Sequence, residues 1–226
     1  TSGATQFVEG YARESIWSFN WAGLDDKGNP QAFDAKGNKT RDISGFTAED
    51  LVWSGTSQPV YNGSFSTGIR YKSFQINTLF TYNFGHVFRV EYPDMNPWSS
   101  TPATNKLIAD RWRKPGDEGI TDIPSITTMQ DYYAYFYREN ITQKSSNSIR
   151  DGGMVRLREV LLSYEMPTSL IARTPIRRLA LTLQANNLFL WTKNKEGYDP
   201  EAVSPVSGKF SLRNPVSFTA GVKIDF

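Results

Sequence analysis

Residues 215–226 read P-V-S-F-T-A-G-V-K-I-D-F, and this stretch decides how the rest of the sequence is interpreted. Every second residue of the stretch, which we call one parity, is apolar: Val216, Phe218, Ala220, Val222, Ile224 and Phe226. The other parity is polar or small, and a side-chain period of two is typical of a β-strand with one apolar and one polar face. The last side chain belongs to the apolar face, which predicts a role for the end of this strand.

Further stretches alternate in the same way and are separated by turn residues. They cover residues 14–22, 60–71, 74–84, 154–166 and 177–191. Only Lys72 and Ser73 separate two of these stretches, so residues 60–84 are predicted to form a β-hairpin. Arg156 shares the parity of the apolar residues that follow it, which predicts a β-bulge near Glu159.

The composition excludes several classes of protein. The 226 residues include no cysteine, so there is no disulfide framework, zinc-thiolate site or cysteine nucleophile. The 25 basic and 23 acidic residues give no field that favours nucleic acid. No apolar run approaches the ~20 residues of a membrane-spanning helix. A membrane β-barrel stays possible, because its strands alternate and average to moderate hydropathy.

The predicted connections alternate between long and short. Long connections follow residues 22, 84 and 191, whereas short ones lie at Lys72 and at residues 167–175. Up-and-down transmembrane barrels show this alternation, because their periplasmic turns are short and their external loops long. A strand of about ten residues, tilted near 45°, spans about 24 Å, close to the ~25 Å apolar band of such barrels.

The fold class predicted from these observations is all-β, an antiparallel up-and-down transmembrane β-barrel segment with long extracellular loops. Six strands are too few to close a membrane barrel, which needs at least about eight. Residues 1–226 are therefore predicted to be one part of a larger barrel. Two alternatives stay open: a soluble secreted β-sandwich that binds glycans, whose apolar faces would meet in a core, and a structural or adhesive β-protein.

Two similar stretches, D-D-K-G-N at residues 25–29 and D-A-K-G-N at residues 34–38, are predicted to be plain β-turns. Their spacing lacks the alternate acidic ligands and distal glutamate of an EF-hand calcium loop. The longest irregular stretch is predicted at residues 87–153, with a short helix over residues 103–113.

No catalytic constellation emerges, so the chain is predicted not to be an enzyme and to hold no cofactor or metal. The single histidine, His86, is expected at a strand end, without the partners that a triad or metal site requires. Asp131 and Glu139 could be considered a glycosidase pair, but acidic residues in a polar loop are usually only solvated. Asp199 is expected to form the turn before Pro200.

Two signatures resemble those of SusC/RagA-type TonB-dependent outer-membrane transporters. Residues 154–167 read M-V-R-L-R-E-V-L-L-S-Y-E-M-P and are similar to the y-L-R-L-r-n-v-t-L-s-Y-n-l-P pattern of that family. Residues 183–192, L-Q-A-N-N-L-F-L-W-T, and the later G-Y-D-P-E at residues 197–201 resemble a second family signature in the family's order. Weaker similarities extend the resemblance over essentially the whole chain.

The resemblance implies the C-terminal part of a barrel of about 22 strands, in the Gram-negative outer membrane of Bacteroidetes-type bacteria, with a periplasmic C-terminus. It implies import of glycans or oligopeptides with energy from TonB, and no role in nucleic-acid binding. The implied partners are the rest of the barrel and its plug, a SusD-like surface lipoprotein that acts as a lid, TonB through the plug, and the lipid bilayer.

Aromatic residues supply the candidate site residues. Those expected to contact the ligand or the lid, because aromatic faces suit carbohydrate stacking and protein interfaces, are Trp98, Trp112, Tyr132, Tyr133, Tyr135 and Tyr137. The alternative is that these rings pack the long loop onto the barrel rim. The residues expected in an interfacial girdle at strand ends are Trp17, Trp21, Tyr71, Phe189 and Trp191. Phe218 and Phe226 are the expected barrel assembly signal, because outer-membrane barrels commonly end in an aromatic residue.

Overall fold

A computed structural model describes residues 8–95, 106–128 and 135–226, and for residues 135 and 136 it describes the backbone only. The chain divides into two compact units. The loop unit comprises Thr1–Gln58, Val87–Asp151 and Val203–Phe210. The sheet unit comprises Pro59–His86, Gly152–Ala202 and Ser211–Phe226.

The described residues contain eleven strands and two α-helices. In chain order the strands are β1 (Ser15–Leu24), β2 (Pro30–Phe33), β3 (Lys39–Thr40), β4 (Leu51–Thr56), β5 (Tyr61–Tyr71), β6 (Phe74–Phe84), β7 (Val87–Arg89), β8 (Ile149–Asp151), β9 (Met154–Glu165), β10 (Arg178–Thr192) and β11 (Ser217–Asp225). The helices are α1 (Tyr135–Lys144) and α2 (Thr168–Ile171). No described helix has the length and apolar character needed to cross a membrane.

The sheet unit is built around a five-stranded antiparallel sheet in the order β11-β10-β9-β6-β5. Lys72 and Ser73 connect β5 to β6 directly, and Lys72 adopts a left-handed conformation with φ 52°. The short connection from β9 to β10 carries α2. Each strand therefore lies beside its sequence neighbour in this sheet, which confirms the predicted up-and-down order and the hairpin.

The β-bulge predicted near Glu159 is confirmed by the register of β9. Leu79 of β6 lies opposite Glu159, but the next residue, Phe80, lies opposite Leu157, so Arg158 is an extra residue. The register with β10 shifts at the same place. Across a bulge, the odd-numbered and even-numbered residues of a strand exchange faces. Leu157 therefore lies on the same face as Phe80, and Arg156 lies on the opposite face.

The loop unit contains a second sheet in the order β3-β2-β1-β4 and a two-stranded sheet of β7 and β8. Its core consists of Trp17, Phe19, Ala32, Leu51 and Ile141. Ile141, on α1, is completely buried. This core fixes α1 against the strands of the second sheet.

The assignment of the first predicted strand to the large sheet is wrong, and that sheet has five strands. β1 pairs with β2 on one side and with β4 on the other. Its partners lie within residues 23–59, where turn residues dominate the sequence and conceal strands of four and six residues. The fold class itself, an antiparallel all-β segment, is confirmed.

The long stretch between β6 and β9 is more ordered than predicted. It contains β7, β8 and α1, together with 3-10 helices at Lys106–Asp110, Asp117–Gly119 and Ser146–Ser148. The first of these lies inside the predicted α-helix at residues 103–113, of which residues 103–105 are outside the described residues. The sequence prediction of an irregular stretch is therefore corrected.

The two similar stretches in the loop unit are β-turns, as predicted. The carboxylate of Asp25 accepts hydrogen bonds from the backbone N–H groups of Lys27 and Asn29, at 2.9 and 2.7 Å. Asp34 accepts the equivalent bonds from Lys36 and Asn38, at 2.9 and 2.8 Å. An Asp that bonds to the backbone of its own turn is typical of such turns.

A buried arginine connects three elements of the loop unit. Arg89, on β7, donates from Nη2 to the carbonyl oxygen of Trp17 at 2.6 Å and to Oγ of Ser18 at 3.1 Å. Its Nη1 donates to Oγ of Ser148 at 3.1 Å. Burial lowers the pKa of Arg89 to about 10, so the side chain stays charged at neutral pH.

Candidate functional site

The five-stranded sheet presents a continuous apolar face. Residues directly opposite each other in an antiparallel pair share a face, and one row crosses all five strands through Ile69, Ile76, Leu162, Leu183 and Ala220. The face is exposed at both edges of the sheet, where Ile69 is 64% and Val222 65% exposed. A soluble β-sandwich would bury such a face against a second sheet, so this surface does not fit the sandwich alternative.

Aromatic side chains border this face at both ends of the strands. At the tight-turn end lie Tyr71, Phe74 and Tyr164, with 4.6 Å between the ring centroids of Phe74 and Tyr164. At the long-loop end lie Tyr61, Tyr82, Phe84, Phe189 and Trp191. The side chains between the two rows are mainly aliphatic.

The distance between these aromatic rows matches the height of the apolar band of an outer-membrane barrel. Tyr61 and Tyr71 lie at opposite ends of β5. At ~3.4 Å per residue and a tilt near 45°, the two rings are separated by about 24 Å along the barrel axis. This is close to the ~25 Å height of the apolar band between the aromatic girdles of outer-membrane barrels.

The predicted girdle residues divide into two groups. Tyr71, Phe189 and Trp191 lie in the two aromatic rows and are exposed. The prediction is wrong for Trp17 and Trp21, because Trp17 is a core residue of the loop unit and Trp21 packs against that core. Their alternation in sequence is real, but it marks a face of β1 that α1 covers.

The predicted assembly residues lie at the last strand. Phe218 is opposite Ala185 on the apolar face and is 69% exposed. Phe226 follows β11 and is 72% exposed. Their role in barrel assembly stays a prediction.

The opposite face of the sheet is polar and carries a buried ion-pair network. Arg156, only 3% exposed, pairs through Nη2 with Oδ1 of Asp199 at 2.6 Å and through Nε with Oε2 of Glu201 at 3.1 Å. Arg158, the bulge residue, also pairs with Glu201 and donates from Nε to Oγ1 of Thr81 at 3.0 Å. The two arginines of β9 therefore hold the G-Y-D-P-E segment.

Asp199 has a larger role than the predicted one. It does form the expected turn, because its Oδ1 accepts a hydrogen bond from the backbone N–H of Glu201 at 3.1 Å. Sequence reasoning missed the ion pair with Arg156, 43 residues away. The signal was present as two basic residues of β9 and two acidic residues with the same spacing, i and i+2.

Hydrogen bonds continue across the polar face. Nε2 of Gln184 donates to Oε2 of Glu159 at 2.8 Å and to Oδ1 of Asn186 at 3.1 Å. Nδ2 of Asn186 donates to Oγ of Ser217 at 3.1 Å. This face can therefore line an aqueous space while the other face contacts lipid.

The candidate ligand or lid residues are only partly described. Trp98, Tyr132 and Tyr133 lie outside the described residues, and so does the side chain of Tyr135. Tyr137 is half-buried on α1. Trp112 is half-buried, and its Nε1 donates to Oε2 of Glu118 at 3.0 Å. Contact of these aromatic residues with a ligand or lid stays a prediction.

Glu139 lies on α1, whereas Asp131, the other residue of the hypothetical glycosidase pair, is outside the described residues. The pKa of Glu139 is raised to about 7, first by burial and then by the negative charges of Asp94 and Glu91. A hydrogen bond from Nε2 of Gln143, at 2.8 Å, and the charge of Arg138 act in the opposite direction. Nε2 of Gln143 also donates to the backbone carbonyl of Tyr92 at 2.8 Å, which connects α1 to residues 90–95.

His86 is buried next to Gly152, and the described residues contain no group of acidic or histidine side chains suited to a metal ion.

Glu139→Gln should reduce the loss of stability as the pH rises. The unfolded carboxyl ionises near 4.5 and the folded one near 7, so the wild-type protein loses stability between these pH values. We expect a smaller difference in Tm between pH 5 and pH 7.5 for Glu139→Gln than for the wild type. The exposed Glu49→Gln is the control, and equal pH dependence in both variants would contradict the prediction.

Comparison with known proteins shows which proteins the chain is similar to. No protein-family model matches the chain. The chain is similar to a solved structure of the RagAB peptide importer in its open-open state, with a TM-score of 0.69, 23% identity, and coverage of 94% of this chain and 22% of that one. A structure of the RagAB peptide transporter matches with a TM-score of 0.67, 25% identity, and coverage of 94% and 23%. The fold is thus that of a segment of an outer-membrane β-barrel transporter.

The family resemblance is also confirmed at the level of sequence. TonB-dependent receptor P3 from Formosa agariphila is 24% identical over 205 residues, which cover 86% of this chain and 19% of the relative. With RagAB as structural neighbours, the chain is similar to SusC/RagA-type TonB-dependent transporters. It spans about a fifth of the length of these proteins.

Proposed function

We propose that this chain forms part of an outer-membrane transporter that imports oligopeptides or glycans with energy from TonB, and that it is not an enzyme. The observation that carries the proposal is the single-layer sheet with an exposed apolar band between two aromatic rows and a polar opposite face. The apolar face would contact the lipid bilayer, and the polar face would line the lumen. The similarity to RagAB structures described as peptide importers favours oligopeptides as cargo.

The chain covers about a fifth of the length of its relatives, so we propose partners that would supply the rest of the transporter. The outer strands of the described sheet are β5 and β11, and each has an edge to which a strand can add. We propose that the rest of the barrel pairs with these edges and encloses a plug, through which TonB acts. A SusD-like surface lipoprotein would cover the long-loop end of the strands, and the tight turns and the C-terminus would face the periplasm.

Uptake by the full-length protein that contains this chain tests the proposal. Cells that lack its gene should lose uptake of labelled oligopeptides, and the wild-type gene should restore it only when TonB is functional. Labelled oligosaccharides, measured in parallel, distinguish the two cargo classes. Normal uptake of both labels in the gene deletion, or a full-length protein that stays monomeric in buffer without detergent, would contradict the proposal.

A further inference from the structure

A cationic cavity of about 520 Å³ lies within the loop unit. Its charged lining residues are Lys27, Arg111 and Arg113, and none of the described residues that line it is a carboxylate. Trp112, Ser125 and Thr128 supply the aromatic and uncharged polar part of the wall. Arg111 and Arg113 also line a second cavity of about 810 Å³, together with Asp110 and Asp117.

The three cations of the cavity have no counter-ion among the residues that the structure describes. Nη1 of Arg111 donates to the carbonyl oxygen of Ile108 at 3.0 Å, and Nη2 of Arg113 donates to that of Ala109 at 2.8 Å. Each guanidinium has five N–H donors, so these bonds orient the group and leave donors for a ligand. Neither arginine, nor Lys27, forms an ion pair in the described part of the chain.

Two acidic residues of the same loop, Asp117 and Glu118, are engaged elsewhere. Oδ2 of Asp117 accepts hydrogen bonds from the backbone N–H groups of Arg113 and Lys114, at 3.0 and 3.1 Å. Oε2 of Glu118 accepts bonds from the indole of Trp112 and from the backbone of Gly116, at 3.0 and 2.8 Å. These acids shape the loop through its backbone, and the arginine side chains stay available.

The wall of the cavity is held in place by close packing. A Cβ atom on Gly28 would lie 2.6 Å from the ring of Trp112, so only glycine fits at this turn, where φ is +74°. The backbone N–H of Ser125 donates to the carbonyl oxygen of Gly28 at 3.0 Å. Nη2 of Arg138, on α1, donates to the carbonyl oxygen of Ser125 at 2.6 Å. The cavity is therefore a built feature of the loop unit.

We propose that this cavity binds the carboxylate groups of acidic oligopeptides, with Arg111 and Arg113 as the principal contacts and Lys27 as a third positive charge. Arginine forms paired, charge-assisted hydrogen bonds with carboxylates, and two arginines two positions apart in the chain can bind neighbouring acidic groups of one ligand. The proposal rests on the import function proposed above and specifies the cargo that the loop unit selects.

Binding of labelled hexaglutamate to the full-length protein in detergent, measured by fluorescence anisotropy, tests the proposal. We expect hexaglutamate to bind about tenfold or more tightly than hexaglutamine, and the difference to fall as the salt concentration rises. Arg111→Gln/Arg113→Gln should weaken hexaglutamate binding about tenfold or more and leave hexaglutamine binding unchanged.

The two repeated turns supply a matched control. Lys27 and Lys36 occupy the same position in turns with the same hydrogen bonds, but only Lys27 lines the cavity. Lys27→Gln should weaken hexaglutamate binding about threefold, and Lys36→Gln should not change it. This comparison also decides the question if the double arginine variant fails to fold.

Each remaining outcome contradicts a different claim. Equal binding of hexaglutamate and hexaglutamine, or equal effects of the two lysine variants, would overturn the acidic-ligand proposal while leaving import intact. Trigalacturonate that binds more tightly than hexaglutamate and depends on the same arginines would overturn the peptide assignment. Selective binding in a protein that imports neither cargo would support the cavity and overturn the proposed function.

Discussion

Leu183→Arg should destabilise the full-length protein in lipid vesicles by about 2–4 kcal/mol, the cost of an arginine near the middle of the lipid-facing surface of a barrel. Leu183 lies in the central aliphatic row of the apolar face and is 49% exposed in the isolated chain. In water, an arginine at such an exposed position would cost little, because it would bury no charge. The size of the effect therefore reports contact with lipid.

Thr182→Arg provides the control, because it places the same charge one residue away on the polar face of β10. Thr182 is exposed, and its pairing partner in β11 is Gly221. If the polar face lines an aqueous lumen, this variant should change the free energy of unfolding by less than about 1 kcal/mol. Guanidinium unfolding of each variant, folded into phospholipid vesicles, measures both values. Similar costs at the two positions would show that the faces do not differ in environment.

The part of the fold that the sequence predicts correctly consists of strands in which apolar and polar side chains alternate. β5, β6, β9, β10 and β11 lie within a residue or two of the predicted strands, because each carries a long alternation that only a two-faced strand explains. The bulge was predictable for the same reason, since the charged Arg156 stands in phase with the apolar residues that follow it. Strand pairing followed from the lengths of the connections.

The loop unit was not predictable in this way. β2, β3 and β4 have four, two and six residues, too few for an alternation to stand out among turn residues. α1 begins within a cluster of tyrosines, and Ile141 anchors it to the apolar core. The alternation of Trp17 and Trp21 indicated a strand correctly, but periodicity does not tell whether lipid or a helix covers the apolar face.

The candidate site shows the same division. Tyr71, Phe189 and Trp191 were predicted as girdle residues because they are aromatic and lie at strand ends; they are exposed, and their place in a membrane girdle stays a prediction. The cationic cavity was missed because its charges come from two separate segments, around Lys27 and around residues 111–113. No spacing within either segment connects them, and only the fold brings them to one wall.

Arg156→Met should cost about 3–5 kcal/mol, the typical penalty when one partner of a buried ion pair is removed. The variant leaves Asp199, 2% exposed, as a buried carboxylate whose strongest charged partner is lost. The G-Y-D-P-E segment should then separate from β9, because its two acids are held mainly by Arg156 and Arg158. We therefore expect residues 193–202 to become more sensitive to protease.

Arg178→Met is the matched control for this loss. Arg178 of β10 pairs with Glu165 at 2.8 Å, a short distance as in the Arg156 pair, but the two side chains are 49% and 42% exposed. Exposed ion pairs contribute about 0–1 kcal/mol, so this variant should unfold at nearly the same guanidinium concentration as the wild type. Equal destabilisation by both substitutions would show that burial does not set the strength of the Arg156 pair.

The double variant Arg156→Met/Asp199→Asn separates the ion pair from the packing of the arginine. The Asp199→Asn substitution should keep the turn, because an amide oxygen can still accept the hydrogen bond from the backbone N–H of Glu201. It would also remove the buried charge that makes Arg156→Met costly, so the double variant should be less destabilised than the sum of the two single variants. A coupling of about 0.5–3 kcal/mol is the range for residues in direct contact. Additive effects would contradict a direct pair and leave only the lost packing of the Arg156 side chain.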